Sequence, residues 1–123
     1  MQPLVILLYE RILPGTQLAN RFQDLGYRVQ TLADPALLGE TARREMPLLV
    51  VADLPFEGKD AGMAITGLRA DQGTAHLPVI AIIPAGDKTW EGRAVQCGAT
   101  LVVSDNAVLL HLDRLLQQAL QLD

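Results

Sequence analysis

The sequence has 123 residues, of which half are hydrophobic and a fifth are charged, as in a single soluble globular domain spanning residues 1–123. A net charge of −4 without a basic run argues against binding to nucleic acid or to an anionic membrane. The single cysteine, Cys97, excludes a disulfide framework and a zinc cluster and suits a reducing cytoplasm. The apolar run near the N-terminus is too short for a signal peptide or a membrane span.

Short apolar runs alternate with segments of helical periodicity along the whole chain. The first helix is predicted to follow Pro14 and Gly15 with Thr16 as its cap, and the second to begin at Asp34-Pro35. The last helix is predicted over 107–120. The five predicted strands cover 4–8, 27–32, 48–52, 79–83 and 100–103, and the predicted inward-facing helix positions include Leu18, Phe22, Leu25, Leu38, Ala42, Met46, Ala61, Ala64, Ile65, Leu68, Trp90, Ala94, Cys97, Val108, Leu112, Leu115 and Ala119.

Strict alternation of strands and helices predicts a parallel sheet joined by right-handed crossovers. The strands at 4–8, 48–52 and 79–83 are the most apolar, which is typical of central strands covered by helices on both faces. The second strand carries Arg28 and Gln30, as an edge strand can. We therefore expect an α/β fold with one doubly wound five-stranded sheet in the order 2-1-3-4-5.

Asp53 directly follows the third of these strands. In open α/β sheets, ligands bind at the carboxyl ends of the strands, so this carboxylate lies where a functional acid would be. Asp is also common in turns, and a structural role for Asp53 is the alternative. No Ser-His-Asp or Cys-His arrangement is visible, and we expect no enzymatic activity.

The order and spacing of these segments resemble the receiver domains of two-component response regulators over essentially the whole chain. The resemblance covers the first strand with Tyr9-Glu10 after it, the strand that runs from Met46-Pro47 to Asp53, the loop 58–62, the segment 68–80 and the helix end 94–99. It implies a flavodoxin-like fold, and it makes Asp53 the equivalent of the phosphoacceptor.

The functional positions depart from the receiver pattern. Tyr9 replaces the first residue of the acidic pair that binds Mg²⁺, and only Glu10 remains. Ile83 replaces the switch Thr or Ser, Val102 replaces the aromatic residue, and Asp105 replaces the lysine. Glu10, Asp53 and the backbone carbonyl of Pro55 could form only a weak Mg²⁺ site, so no cofactor is required.

The exchange of lysine for Asp105 works against phosphorylation. A phosphoryl group carries about −1.5 to −2 charge, and a carboxylate about 5 Å away would repel it by several kcal/mol at an effective dielectric of about 20. Asp105 can instead join Glu10 and Asp53 as a third carboxylate, or cap the last helix. Tyr9 is expected to fill the vacant metal pocket with its ring, and Lys88 could swing toward Asp53.

The prediction that follows is a pseudo-receiver, a signalling module that acts by protein–protein contact and without phosphorylation. Its partner would be a histidine kinase, an output domain or another regulator, or a second copy through the face formed by helix 4, strand 5 and helix 5. That face would present Trp90, Arg93, His111 and Arg114. The alternatives are a response regulator phosphorylated on Asp53 with Mg²⁺, and a cation or small-ligand sensor that uses the acidic cleft.

Overall fold

Five strands and five α-helices alternate through residues 2–120, which are the residues that the computed structural model describes. The strands are β1 (Leu4–Leu8), β2 (Arg28–Leu32), β3 (Leu49–Asp53), β4 (Val79–Ile83) and β5 (Leu101–Ser104). The helices are α1 (Ile12–Asp24), α2 (Leu38–Glu45), α3 (Ala61–Ala70), α4 (Lys88–Gln96) and α5 (Leu112–Leu120), and a 3₁₀ turn (Pro35–Leu37) precedes α2. None of these helices is both long enough and apolar enough to span a membrane.

All five strands lie parallel in one sheet with the order β2-β1-β3-β4-β5, so the predicted fold class and strand order are confirmed. β3 is the middle strand, and its last residue, Asp53, lies opposite Ile82 of β4. Every residue of β1, β3 and β4 is buried, whereas β2 and β5 form the partly exposed edges. The continuous apolar runs thus correspond to the three strands that are covered on both faces.

Two apolar clusters cover the two faces of the sheet. On one face, Ile6, Val50 and Ala81 pack with α2, α3 and α4. On the other face, alternate strand residues pack with Leu18 and Phe22 of α1 and with the buried side of α5. The predicted inward-facing residues belong to these two clusters, with two exceptions, Leu25 and Met46.

The structure corrects four predictions of local structure. Leu25 is exposed, and it is the residue that ends α1. Thr16 does not cap α1, because it lies inside the helix. The bounds of α1 start at Ile12, and the backbone is extended at Leu13. Met46 is exposed, because it adopts a left-handed conformation (φ 51°) as the residue that ends α2. The last helix begins at Leu112 and not near residue 107, since the preceding residues form hydrogen-bonded turns.

Arg69, on α3, joins two loops at the amino-terminal edge of the sheet. Its guanidinium donates hydrogen bonds to the carbonyl oxygens of Ala75 (2.9 Å), Leu77 (2.6 Å) and Gly98 (2.8 Å), and to the hydroxyl of Thr100 (3.1 Å). Arg69 thereby holds the segment before β4 and the turn before β5 against the same helix.

We predict that Arg69→Ala lowers the free energy of unfolding by about 1–3 kcal/mol, because several carbonyl oxygens lose a charged donor at once. Urea unfolding followed by circular dichroism measures the change. Arg44→Ala is the matched control, because Arg44 is exposed and its ion pairs with Glu40 and Glu45 lie at the surface, where such pairs contribute little stability. Equal destabilisation by the two substitutions would contradict the role given to Arg69.

Candidate functional site: an acidic cleft that contains an arginine

The candidate site lies at the carboxyl edge of the sheet, where the loops after β1, β3, β4 and β5 meet. Asp53 is its central residue, and its side chain is only 1% exposed. Its strand, β3, lies in the middle of the sheet between β1 and β4. A carboxylate removed from water in this way requires a counter-charge or a proton.

Arg11 supplies the counter-charge. It follows β1 immediately after Glu10, and its guanidinium forms a two-pronged contact with Asp53. Nε donates to Oδ2 at 2.8 Å and Nη2 donates to Oδ1 at 2.5 Å. This fork geometry is the strongest arrangement for an arginine–carboxylate pair. Both carboxylate oxygens of Asp53 therefore accept hydrogen bonds from one side chain of the same protein.

Asp105 binds the remaining arm of the same guanidinium. Nη1 of Arg11 donates to its Oδ2 at 3.0 Å, and the backbone N–H of Ala85 donates to its Oδ1 at 3.3 Å. Asp105 does not cap α5, which begins seven positions later at Leu112. Its role is to join the loop after β5 to Arg11 and to the loop after β4.

Burial and ion pairing act on Asp53 in opposite directions. Loss of solvation raises the pKa of Asp53 above its ordinary value, and the hydrogen bonds and charge of Arg11 offset only part of this effect. The negative charge of Asp105 adds a smaller increase. The pKa of Arg11 is raised, chiefly by its hydrogen bonds to Asp53, so the guanidinium stays charged.

Glu10 is bound to the loop after β3. Its Oε1 accepts a hydrogen bond from the backbone N–H of Glu57 at 3.0 Å, which ties the end of β1 to the loop after β3. Pro55 lies half-buried in that loop. Among residues 2–120, no group of three or more His, Cys, Asp or Glu side chains is arranged to hold a metal ion.

The residues of this cleft therefore do not fit a receiver-type Mg²⁺ site as they stand. Such an ion needs free carboxylate oxygens, and here those of Asp53 are bound to Arg11 and one oxygen of Glu10 is bound to the backbone. Metal binding by Glu10, Asp53 and the Pro55 carbonyl stays a prediction that these contacts do not favour.

The other positions that depart from the receiver pattern lie after β1, at the end of β4 and within β5. The ring of Tyr9 lies against Gly15 of α1, where a Cβ would be within 2.2–2.5 Å of ring atoms, and the side chain that is hydrogen-bonded to Asp53 is that of Arg11. Ile83 is 6% exposed and belongs to the apolar cluster on the α3 side of the sheet, and Val102 packs against the same cluster. The end of β4 thus presents an aliphatic side chain where a receiver has a hydroxyl.

Sequence reasoning missed Arg11. The chain did contain a signal for it, because two predicted acids at one edge of the sheet without the family lysine require another cation. Lys88, which the sequence suggests could swing toward Asp53, lies exposed at the start of α4. Arg11 lies in the short segment between the end of β1 at Leu8 and α1, and is therefore at the same edge of the sheet as Asp53.

The predicted interaction face is exposed in part. Arg93, His111 and Arg114 are exposed, and Trp90 is half-buried against the apolar cluster beneath α4. The guanidinium of Arg93 lies 5.0 Å from the centroid of the Trp90 ring, which is a cation–π distance.

Comparison with solved structures places the fold among receiver domains. The receiver domain of a sensor histidine kinase from Pseudomonas aeruginosa PAO1, solved with a magnesium ion in its active-site cleft, superposes with a TM-score of 0.88 at 21% identity over 98% of this chain and 99% of that one. The receiver domain of a modulated diguanylate cyclase from Desulfovibrio desulfuricans G20 gives 0.80 at 20% identity, over 98% and 95% of the two chains. A chemotaxis response regulator of Vibrio cholerae gives 0.76 at 17% identity, over 93% and 98%.

No family model matches the sequence, and no curated protein matches it. At these identities the structural likeness shows the fold alone. The resemblance seen in the sequence is thereby confirmed as a likeness of fold: the chain has the receiver architecture over nearly its whole length.

We predict that Arg11→Gln lowers the free energy of unfolding by about 2–4 kcal/mol, because it leaves Asp53 buried without a counter-charge. Asp53→Asn in the same chain should recover much of this loss. A double-mutant cycle in urea measures the coupling between the two residues. The control cycle is Arg43→Gln with Asp71→Asn, whose exposed ion pair should couple much more weakly. Additive effects of the Arg11 and Asp53 substitutions would contradict the pairing.

The destabilisation by Arg11→Gln should also depend on pH. The folded-state pKa of Asp53 is already raised, and loss of Arg11 raises it further. A raised pKa contributes stability that is present at low pH and is lost as pH rises through the folded-state value. The cost of Arg11→Gln should therefore be largest at neutral pH and shrink toward about pH 4, near the ordinary Asp value. Urea unfolding measured across this pH range tests whether the destabilisation by Arg11→Gln grows with pH. This pH dependence should vanish when Asp53 is replaced by Asn.

Proposed function

We propose that the protein is a pseudo-receiver: a two-component-type signalling module that acts by protein–protein contact without phosphorylation of Asp53. The observation that supports this most is the Arg11 guanidinium bound between Asp53 and Asp105. In a phosphorylated receiver, the positive charge beside the acceptor comes from a metal ion and a lysine. Here the chain supplies a positive charge of its own and pairs it with the acceptor.

Three features of the cleft make phosphoryl transfer to Asp53 unfavourable. Its two oxygens are engaged by Arg11, so the nucleophile must break a buried fork-like contact before it can attack. The carboxylate of Asp105, beside Arg11, would repel the added phosphoryl charge. Ile83 has no hydroxyl with which to bind a phosphoryl oxygen.

The proposed partners are other signalling proteins: a histidine kinase, an output domain or another regulator, or a second copy of this chain. The proposed contact face is the one that carries Trp90, Arg93, His111 and Arg114. Trp and Arg are favoured at the centres of interfaces, and the guanidinium of Arg93 lies at a cation–π distance from the ring of Trp90. We place the module in a reducing cytoplasm, which its single buried cysteine suits.

The test is exposure of the protein to a small phosphodonor, acetyl phosphate, with Mg²⁺, followed by intact mass measurement. We predict no mass gain, since Asp53 is engaged and its surroundings repel a phosphoryl group. A receiver domain that accepts phosphate from the same donor serves as the positive control. A mass gain in the natural protein that Asp53→Asn abolishes would overturn the proposal and favour the phosphorylated alternative.

A further inference from the structure

Asp105 joins the acidic cleft to the start of α4. One of its carboxylate oxygens accepts from Nη1 of Arg11, and the other accepts from the N–H of Ala85 in the β4–α4 loop. Asp105 is about a quarter exposed, so this contact is at the surface end of the cleft and not in the core. The same side chain thus contacts the residue that neutralises Asp53 and the loop that leads into the proposed contact face.

Short hydrogen-bonded steps continue from Ala85 to Trp90. The backbone N–H of Asp87 donates to the carbonyl of Pro84 at 3.3 Å, which closes the loop into a turn. The side chain of Asp87 then caps α4 by accepting from the N–H of Trp90 at 3.1 Å. Hydrogen bonds therefore connect the segment from Ala85, which Asp105 contacts, to Trp90 in the first turn of α4.

We infer that the Arg11–Asp105–Ala85 contacts fix the β4–α4 loop and thereby the position of α4, so that the acidic cleft controls the Trp90 surface through an ion pair built into the chain. This inference rests on the proposed function, because it assigns to Arg11 and Asp105 the positioning task that a phosphoryl group would otherwise have. A partner or solution condition that draws Arg11 out of the cleft would release the loop, and α4 would move with it.

One contact provides the competing explanation. The backbone N–H of Asp105 donates to the carbonyl of Ile83 at 2.8 Å, so the ends of β4 and β5 are joined without any side chain. If this backbone contact alone fixed the loop, removal of the Asp105 carboxylate would leave Ala85 and Trp90 unchanged. The two explanations therefore differ in the effect of substitutions that spare the backbone.

The experiment compares Asp105→Ala, Asp105→Asn and Arg11→Gln by amide hydrogen exchange at Ala85 and by the emission of Trp90, which is the only tryptophan in the chain. In Asp105→Ala, exchange at Ala85 should accelerate about fivefold or more, as expected for loss of a contact of about 1 kcal/mol, and the Trp90 emission should shift. Asp105→Asn keeps an acceptor for Ala85 but loses the charge that binds Arg11, so its effect should be intermediate. Arg11→Gln removes the partner of Asp105 and should also accelerate exchange at Ala85 and shift the Trp90 emission.

Arg43→Gln is the matched control. It removes an exposed ion pair between α2 and the segment after α3, which does not involve the β4–α4 loop, and should alter neither signal. Unchanged exchange at Ala85 in Asp105→Ala, or unchanged Trp90 emission despite faster exchange, would overturn the inference. If Arg11→Gln fails to fold, the two Asp105 variants decide the result. No phosphodonor is present, so this outcome is separate from the mass measurement that tests the proposed function.

Discussion

The structure depends on one constraint: a carboxylate buried at the end of the central strand must be neutralised. Asp53, at the end of the middle strand β3, is almost fully buried, and an unpaired buried charge would cost several kcal/mol. Arg11, in the loop between β1 and α1, supplies the counter-charge and also forms an ion pair with Asp105. That guanidinium joins the β1–α1 loop to the end of β3 and to the segment after β5.

Most of the fold could be predicted because it depends on pattern. Continuous apolar runs identified the three covered strands, and alternation with helices led to the observed strand order. The wrong predictions concern the ends of helices, where local backbone conformation decides the structure and hydrophobic periodicity does not indicate it. Met46 matched the apolar spacing of α2, yet as the residue after the helix it adopts a left-handed conformation and faces solvent. The residues before Leu112 matched the spacing of α5 but form turns, which place Asp105 toward Arg11.

The candidate site could be located from the sequence but not completed. Asp53 was placed at the correct edge, and Asp105 was recognised as the residue that replaces a lysine. The missing component was Arg11. The unpaired acids indicated that a cation was needed at this edge, but sequence spacing does not show how far, or in which direction, a long side chain extends. With Arg11 included, the replacements at Ile83 and Asp105 form a consistent set: a cleft with receiver geometry in which the positive charge is part of the chain. Such a cleft is consistent with the proposal of a module that functions by contact, and our inference adds that its ion pairs position the α4 surface.

The central claim is that Arg11 is bound to Asp53 in solution, and the Nε–H resonance of Arg11 in a ¹⁵N-resolved NMR spectrum tests it most directly. Because Nε donates to a buried carboxylate, this proton should exchange with water much more slowly than that of the exposed Arg114, and Asp53→Asn should shift its resonance and speed its exchange. An Arg11 Nε–H that exchanges as fast as that of Arg114 and ignores the substitution at Asp53 would contradict the account.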